Sequence, residues 1–148
     1  MSDYLTNRKA RFNFEILETF EAGLELQGFE AKSIRAGKGK LDGSHVIVRG
    51  GEAFLVGASV TAYQPANTPK SYEPDRARKL LLSKKELLHI EQQTEKVGLT
   101  AIPLKLYNKG SKIKLEIALA RGKKKHDKRE TLKARDSKRD IERTLKNQ

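Results

Sequence analysis

Residues 102–119 alternate apolar and polar with a period of two on both sides of a turn, which ties this part of the chain to an antiparallel β-hairpin. Ile102, Leu104 and Leu106 alternate with Pro103, Lys105 and Tyr107. Asn108-Lys109-Gly110-Ser111 then turns the chain, and Ile113, Leu115, Ile117 and Leu119 return along the other side. Pro103 has no amide proton to donate, so its end of the strand is expected at an edge or a bulge. The same period recurs upstream. Phe12, Phe14 and Ile16 share one face, and Phe20, Ala22, Leu24 and Leu26 share another. His45–Arg49 and Glu52–Val56 flank Gly50-Gly51, a two-residue hairpin turn in which glycine supplies positive φ.

Two helices interrupt these strands. A short one is predicted over Phe29–Ala36, stopped by Gly37. The second carries a capping box, Ser83 with Glu86, and Leu82 and Leu87 at the hydrophobic-staple positions. Leu87, Ile90 and Val97 are expected to mark its buried face, with Gly98 closing its end. Six or so short strands with a helix before the last hairpin predict a mainly β chain with helices, an OB-like six-stranded barrel. A split α+β sandwich is the alternative. The barrel domain would span residues 9–122, after an N-terminal arm over residues 1–8 and before a basic tail over residues 123–148.

That tail cannot contribute to a core. From Arg121 to Gln148 the chain carries twelve Lys/Arg against five Asp/Glu, so these residues hold more than half of the formal net charge of +12. Burial of its few apolar residues is too small to offset the ordering entropy, and the tail is expected to be disordered or to become helical on binding. Clustered positive charge, in a chain of pI near 9.9, points to a polyanionic partner and above all to nucleic acid. A membrane surface is the weaker alternative, because the helical part of the tail offers only Leu132, Ile141 and Leu145 as an apolar face.

The absence of cysteine removes disulfides, thiolate zinc sites and cysteine nucleophiles. No stretch approaches the roughly 18 apolar residues of a membrane span, and the N-terminus lacks an apolar signal region. Together these lead to the expectation of a cytoplasmic protein. Catalysis finds little support. His45, His89 and His126 are scattered, no HExxH or GxSxG occurs, and neither a cofactor nor a metal is expected. Gly37-Lys38-Gly39-Lys40 departs from the phosphate-loop pattern and reads first as a helix stop and turn. Glu21, acidic in a basic protein, admits two readings: a solvated residue at a strand bend, or an acceptor for base amino groups and ribose hydroxyls. Of Leu80-Leu81-Leu82, at least one is expected to stay exposed. Residues 64–75, with three of the four prolines, read as a loop.

Several blocks carry a specific resemblance. Asn7-Arg8-Lys9-Ala10 is followed by Glu18-Thr19-Phe20-Glu21-Ala22-Gly23 and by Gly28-Phe29-Glu30-Ala31-Lys32-Ser33-Ile34-Arg35-Ala36-Gly37-Lys38. Arg76-x-Arg78-Lys79-Leu80-Leu81-Leu82 and Pro103-Leu104-Lys105-Leu106-Tyr107 come next. Ala118-Leu119-Ala120-Arg121-Gly122-Lys123-Lys124 and His126-Asp127-Lys128-Arg129-Glu130 close the series. In this order the blocks resemble the SmpB family, the SsrA-binding (tmRNA-binding) proteins of bacterial trans-translation, over nearly the whole chain.

The resemblance implies a six-stranded OB-type barrel and a non-enzymatic adaptor. It implies binding to the tRNA-like domain of tmRNA and delivery of alanyl-tmRNA, with elongation factor Tu, to a stalled 70S ribosome. The tail would enter the decoding centre and empty mRNA channel against 16S rRNA. Carried over by position, the RNA-facing residues would be Glu21, Leu81 and Lys112, then Asn7, Lys9, Lys32 and Arg35. Gly122, His126, Asp127, Lys128 and Arg129 would sit at the ribosome, and the protein would act as a monomer. Phe29, Tyr72 and Ser83 depart from the residues common in the family; if those positions contact RNA, Tyr72 could replace the stacking of the usual histidine but not its protonation. A ribosomal protein built from a small barrel and a basic tail is the rival reading.

Overall fold

The computed structural model describes residues 3–64, 66, 68–123 and 129. Among the described residues, nine strands and three helices follow in the order β1 (Asp3–Thr6), α1 (Ala10–Asn13), β2 (Phe14–Leu24), α2 (Gly28–Arg35), β3 (Gly39–Lys40), β4 (His45–Arg49), β5 (Glu52–Val56), β6 (Ser59–Val60), β7 (Arg78–Leu81), α3 (Lys84–Glu95), β8 (Thr100–Lys109) and β9 (Lys112–Gly122).

All strand pairs are antiparallel. Six strands close on themselves in the order β2-β7-β5-β4-β8-β9, with β9 returning to β2, so the expected six-stranded barrel is present. β8 is long enough to serve two neighbours on one edge: Ala101 meets Val46 of β4, and Lys105–Tyr107 pair with β1. The short pair β3–β6 stands apart from the ring. Gly50 and Gly51 both take positive φ (59° and 76°), the conformation a two-residue hairpin loop demands.

Two bulges divide the strand faces between two cores. In β2 the register against β9 slips between Ile16 and Glu18. In β8 it slips between Pro103 and Lys105, where the missing proline donor led a bulge to be expected. Because side chains alternate with period two, each slip moves the rest of the strand to the opposite face. Phe20, Ala22 and Leu24 therefore pack with Leu106, Leu115, Ile117 and Leu119 inside the barrel. Phe14 and Ile16 instead join Ala10, Ile102, Leu104, Ala118 and Ala120 in a second cluster. The expectation of one shared face for Ile102, Leu104 and Leu106 is thus corrected. Phe12 is corrected as well: it lies in the single-turn helix α1, which contacts β2 and β8, and not in a strand.

Both longer helices bury an isoleucine in the barrel cluster, Ile34 from α2 and Ile90 from α3. α3 starts at the predicted capping box, with the Glu86 amide donating to Ser83 Oγ (3.2 Å) and the Ser83 amide donating to Glu86 Oε1 (3.2 Å). It stops earlier than its apolar pattern implies. Val97 lies past the helix and is 61 % exposed, so its expected burial is overturned, while Gly98 turns the chain with φ of 80°.

Candidate nucleic-acid interface

Alternation along β2 places Phe20 and Ala22 in the core, which turns Glu21 and Gly23 outward. Glu21 is opposite Glu116 of β9, yet both of its carboxylate oxygens are engaged from β8, one strand farther. The Tyr107 hydroxyl donates to Oε2 and Lys109 Nζ donates to Oε1 at 2.9 Å. The Tyr107 bond, then the Lys109 bond, hold the Glu21 carboxyl below its ordinary range, so it is a carboxylate at neutral pH. Burial, reinforced by the carboxylate, pushes the Tyr107 phenol up.

Leu81 is the exposed leucine of its triplet, 51 % exposed against 2 % for Leu80. It pairs with Gly23, and a β-carbon at Gly23 would come within 3.4 Å of Leu81 Cβ and Cδ1 and 3.6 Å of Lys114 Nζ. The bare glycine thus lets Leu81 lie against the strand beside an ammonium. At the hairpin tip Lys112 is exposed and opposite Lys109. Arg35 Nη2 donates to the Ser111 carbonyl (3.0 Å), bringing the end of α2 to this tip. Lys32, also exposed, lies one helical turn before Arg35 and so on the same side of α2. Glu21 and Leu81 therefore flank the outward face of β9 that Lys112 shares by parity, and Arg35, with Lys32 one turn before it, meets that strand's hairpin tip.

Asn7 and Lys9 lie elsewhere. The Asn7 amide and side-chain Nδ2 donate to the carbonyls of Leu104 and Pro103 (2.8 and 2.9 Å), latching β1 to the β8 bulge. Lys9 is exposed beside a cleft of about 630 Å³ that Asn7, Asn13, His45 and Thr100 also line. The end of β9 is adjacent: Gly122 pairs with Phe14, the Lys123 amide donates to Asn13 O (2.8 Å) and Lys123 Nζ to Arg11 O (2.9 Å). From Glu116, opposite Glu21, to Gly122 is six residues of strand, about 20 Å. Gly122 and Arg129 are exposed. His126, Asp127 and Lys128, and the expectation of a disordered or inducible helix in the tail, lie outside the described residues.

Sequence reasoning missed three things here. The first is Tyr107 with Lys109, for which the only signal was their shared outward parity with Lys105. The second is that Arg78, in the run at Arg76–Lys79, is not on a solvated surface. Arg78 is 1 % exposed and donates from Nε to Glu30 Oε2 (2.9 Å), while Glu30 is fully buried. Tyr72 is the third. Its hydroxyl donates to the Val60 carbonyl (2.8 Å) and accepts from Arg78 Nη2 (3.0 Å), and its ring meets Phe29 edge-on at 4.7 Å. Tyr72 is thus tied into the fold through its hydroxyl, and two of the three residues that depart from the family pattern touch each other. His89 shares a contact with Glu18 (2.8 Å) on the surface. Lys38 lies over the Tyr63 ring, 5.4 Å from its centroid.

A family model described as SmpB protein matches residues 4–147. The chain belongs to the SmpB family. Among curated relatives, the SsrA-binding protein of Gloeothece citriformis is 50% identical over 140 residues, 95% of this chain and 90% of the relative. That of Microcystis aeruginosa is 51% identical over the same share of this chain and 91% of its own. A chain from a solved structure described as "tmRNA-SmpB: a journey to the center of the bacterial ribosome" superposes with a TM-score of 0.68 at 43% identity, covering 84% of this chain and 87% of that one. The SmpB fold is therefore shared in its ring of strands as well as in its motifs. Among the described residues, no helix is long and apolar enough to cross a membrane.

Proposed function

We propose that the chain is a tmRNA-binding adaptor of trans-translation, which grips the tRNA-like domain of tmRNA with the barrel and the stalled 70S ribosome with the tail. The observation that carries this reading is that Glu21, Leu81 and Lys112 lie along the outward face of β9, with Arg35 at its hairpin tip, in a chain that belongs to the SmpB family. The cations neutralise phosphates. The Glu21 carboxylate accepts from base amino groups or ribose hydroxyls, a contact that DNA lacks at the 2′ position. Leu81 offers a flat apolar surface to an unstacked base.

Asn7, Lys9 and Gly122 form a second surface, about 20 Å along the β2–β9 ladder, from which the tail departs. His126, Asp127, Lys128 and Arg129 act from there at the decoding centre, on 16S rRNA. The separation lets one small protein bridge two RNAs. The adaptor works in the cytoplasm as a monomer, carries no catalytic group of its own, and arrives with elongation factor Tu and alanyl-tmRNA.

Sequencing of RNA that co-purifies with the tagged full chain from lysate tests the assignment. Enrichment of tmRNA over ribosomal RNA is expected. Equal recovery of all ribosomal RNA without tmRNA enrichment would replace the adaptor by a ribosomal protein. Deleting residues 124–148 is expected to leave binding to the tRNA-like domain near its wild-type level and to abolish peptide tagging on stalled ribosomes.

A further inference from the structure

Tyr107 reaches across a whole strand. It is on β8 and Glu21 is on β2, with β9 between them, so two strand spacings of about 4.8 Å separate their backbones. The phenol spans this gap above β9, in the register between Lys114 and Glu116, and ends on Glu21 Oε2. The residue is only 7 % exposed, and Lys105 Nζ sits 5.4 Å from the ring centroid. A side chain so enclosed has one place to put its hydroxyl.

We infer that Tyr107 is a positioning residue of the RNA-binding face, fixing the Glu21 carboxylate in the rotamer that receives RNA donors. The inference rests on the reading above, that Glu21 contacts RNA. A free glutamate on a strand surface samples many rotamers and must be ordered when RNA arrives. Here the Tyr107 hydroxyl fixes one oxygen and Lys109 the other. Each bond occupies one lone pair and leaves another on the same oxygen for an incoming N–H or O–H. The Glu21 side chain is still 37% exposed, which leaves it open to an incoming donor.

The polar and charged groups around it are Lys109 and Tyr107 from β8 and Lys114 and Glu116 from β9. Of these, only Tyr107 is buried and uncharged. It can therefore orient Glu21 without competing for phosphate.

Tyr107→Phe keeps the ring and removes the donor. In full-length protein titrated with a transcript of the tRNA-like domain of tmRNA at fixed moderate salt, this variant is expected to bind roughly five- to twenty-fold more weakly. Glu21→Ala is expected to lose at least as much. The double variant is expected to match Glu21→Ala alone, because Tyr107 acts only through Glu21. Carbon-13 NMR of the Glu21 side-chain carboxyl gives a readout that general loosening would not move: its titration midpoint should rise in Tyr107→Phe. Wild-type affinity in Tyr107→Phe, or losses that multiply in the double variant, would overturn the positioning role. Wild-type affinity in Glu21→Ala would instead reject the RNA contact beneath it, so the two failures are told apart.

Discussion

Arg78 Nη2 lies 2.8 Å from Glu30 Oε2 with the two side chains 1% and 0% exposed. Arg76 donates to the other carboxylate oxygen, and the Gln27 amide joins it there at 2.9 Å. The remaining Arg78 donors are taken by the carbonyls of Ala58, Pro74 and Arg76 and by the Tyr72 hydroxyl. One carboxylate thereby joins α2, β7 and the loop at 72–76. Removing one partner strands a charge away from water, which costs about 3–5 kcal/mol. Arg78→Met and Glu30→Gln should each lower the denaturant midpoint in an equilibrium unfolding experiment. A loss below 1 kcal/mol in both would show that the network is slack.

The same carboxylate should govern acid stability. Burial raises the pKa of Glu30, but the bond from Arg76, the Gln27 amide and Arg78 together bring it below the ordinary 4.5. A carboxylate with a folded pKa below its unfolded value stabilises the fold above the unfolded pKa. That stabilisation is lost as pH falls through the folded one. Thermal melts of the wild type should therefore be flat above about pH 5 and fall steeply below pH 4.5. Glu30→Gln should melt lower at neutral pH, with a shallower acid limb.

Leu81 should separate binding from folding. Half of its surface already faces water, so Leu81→Ala is expected to cost less than about 1 kcal/mol in stability. Its affinity for the tRNA-like domain should nevertheless fall several-fold. Leu80→Ala, one residue away and buried, should do the opposite and cost about 2–5 kcal/mol. Paired measurements of unfolding and RNA titration on both variants check the contrast.

Ser83→Ala should remove the N-terminal cap of α3 and cost about 1 kcal/mol. Hydrogen exchange would report it as faster exchange of the Glu86 amide, which donates to Ser83 Oγ. Asn7→Ala should likewise loosen β1, raising exchange at the Pro103–Lys105 bulge where its side chain is anchored.

Much of this was legible before any coordinates. Local rules sufficed where one residue type answers to its near neighbours: the Gly50-Gly51 turn, the Ser83–Glu86 box and the alternation in β9. The proline at 103 even located a bulge. They failed where a distant partner decides. Nothing near Arg78 in sequence indicates that it lies in the core, since Glu30 is 48 residues away. Tyr107 and Glu21 are 86 residues apart and meet only because three strands align.

By itself, the order of residues determined β4, β5, β8, β9, the main helices and the uneven distribution of charge, because these follow from period, turn chemistry and composition within short windows; β1 and β7, which lack that alternation, it did not. Tertiary structure decided which face of each strand became core, since a one-residue bulge in β2 or β8 inverts everything beyond it. It also decided which charges are buried and which face RNA, because the cost of an ion depends on what surrounds it.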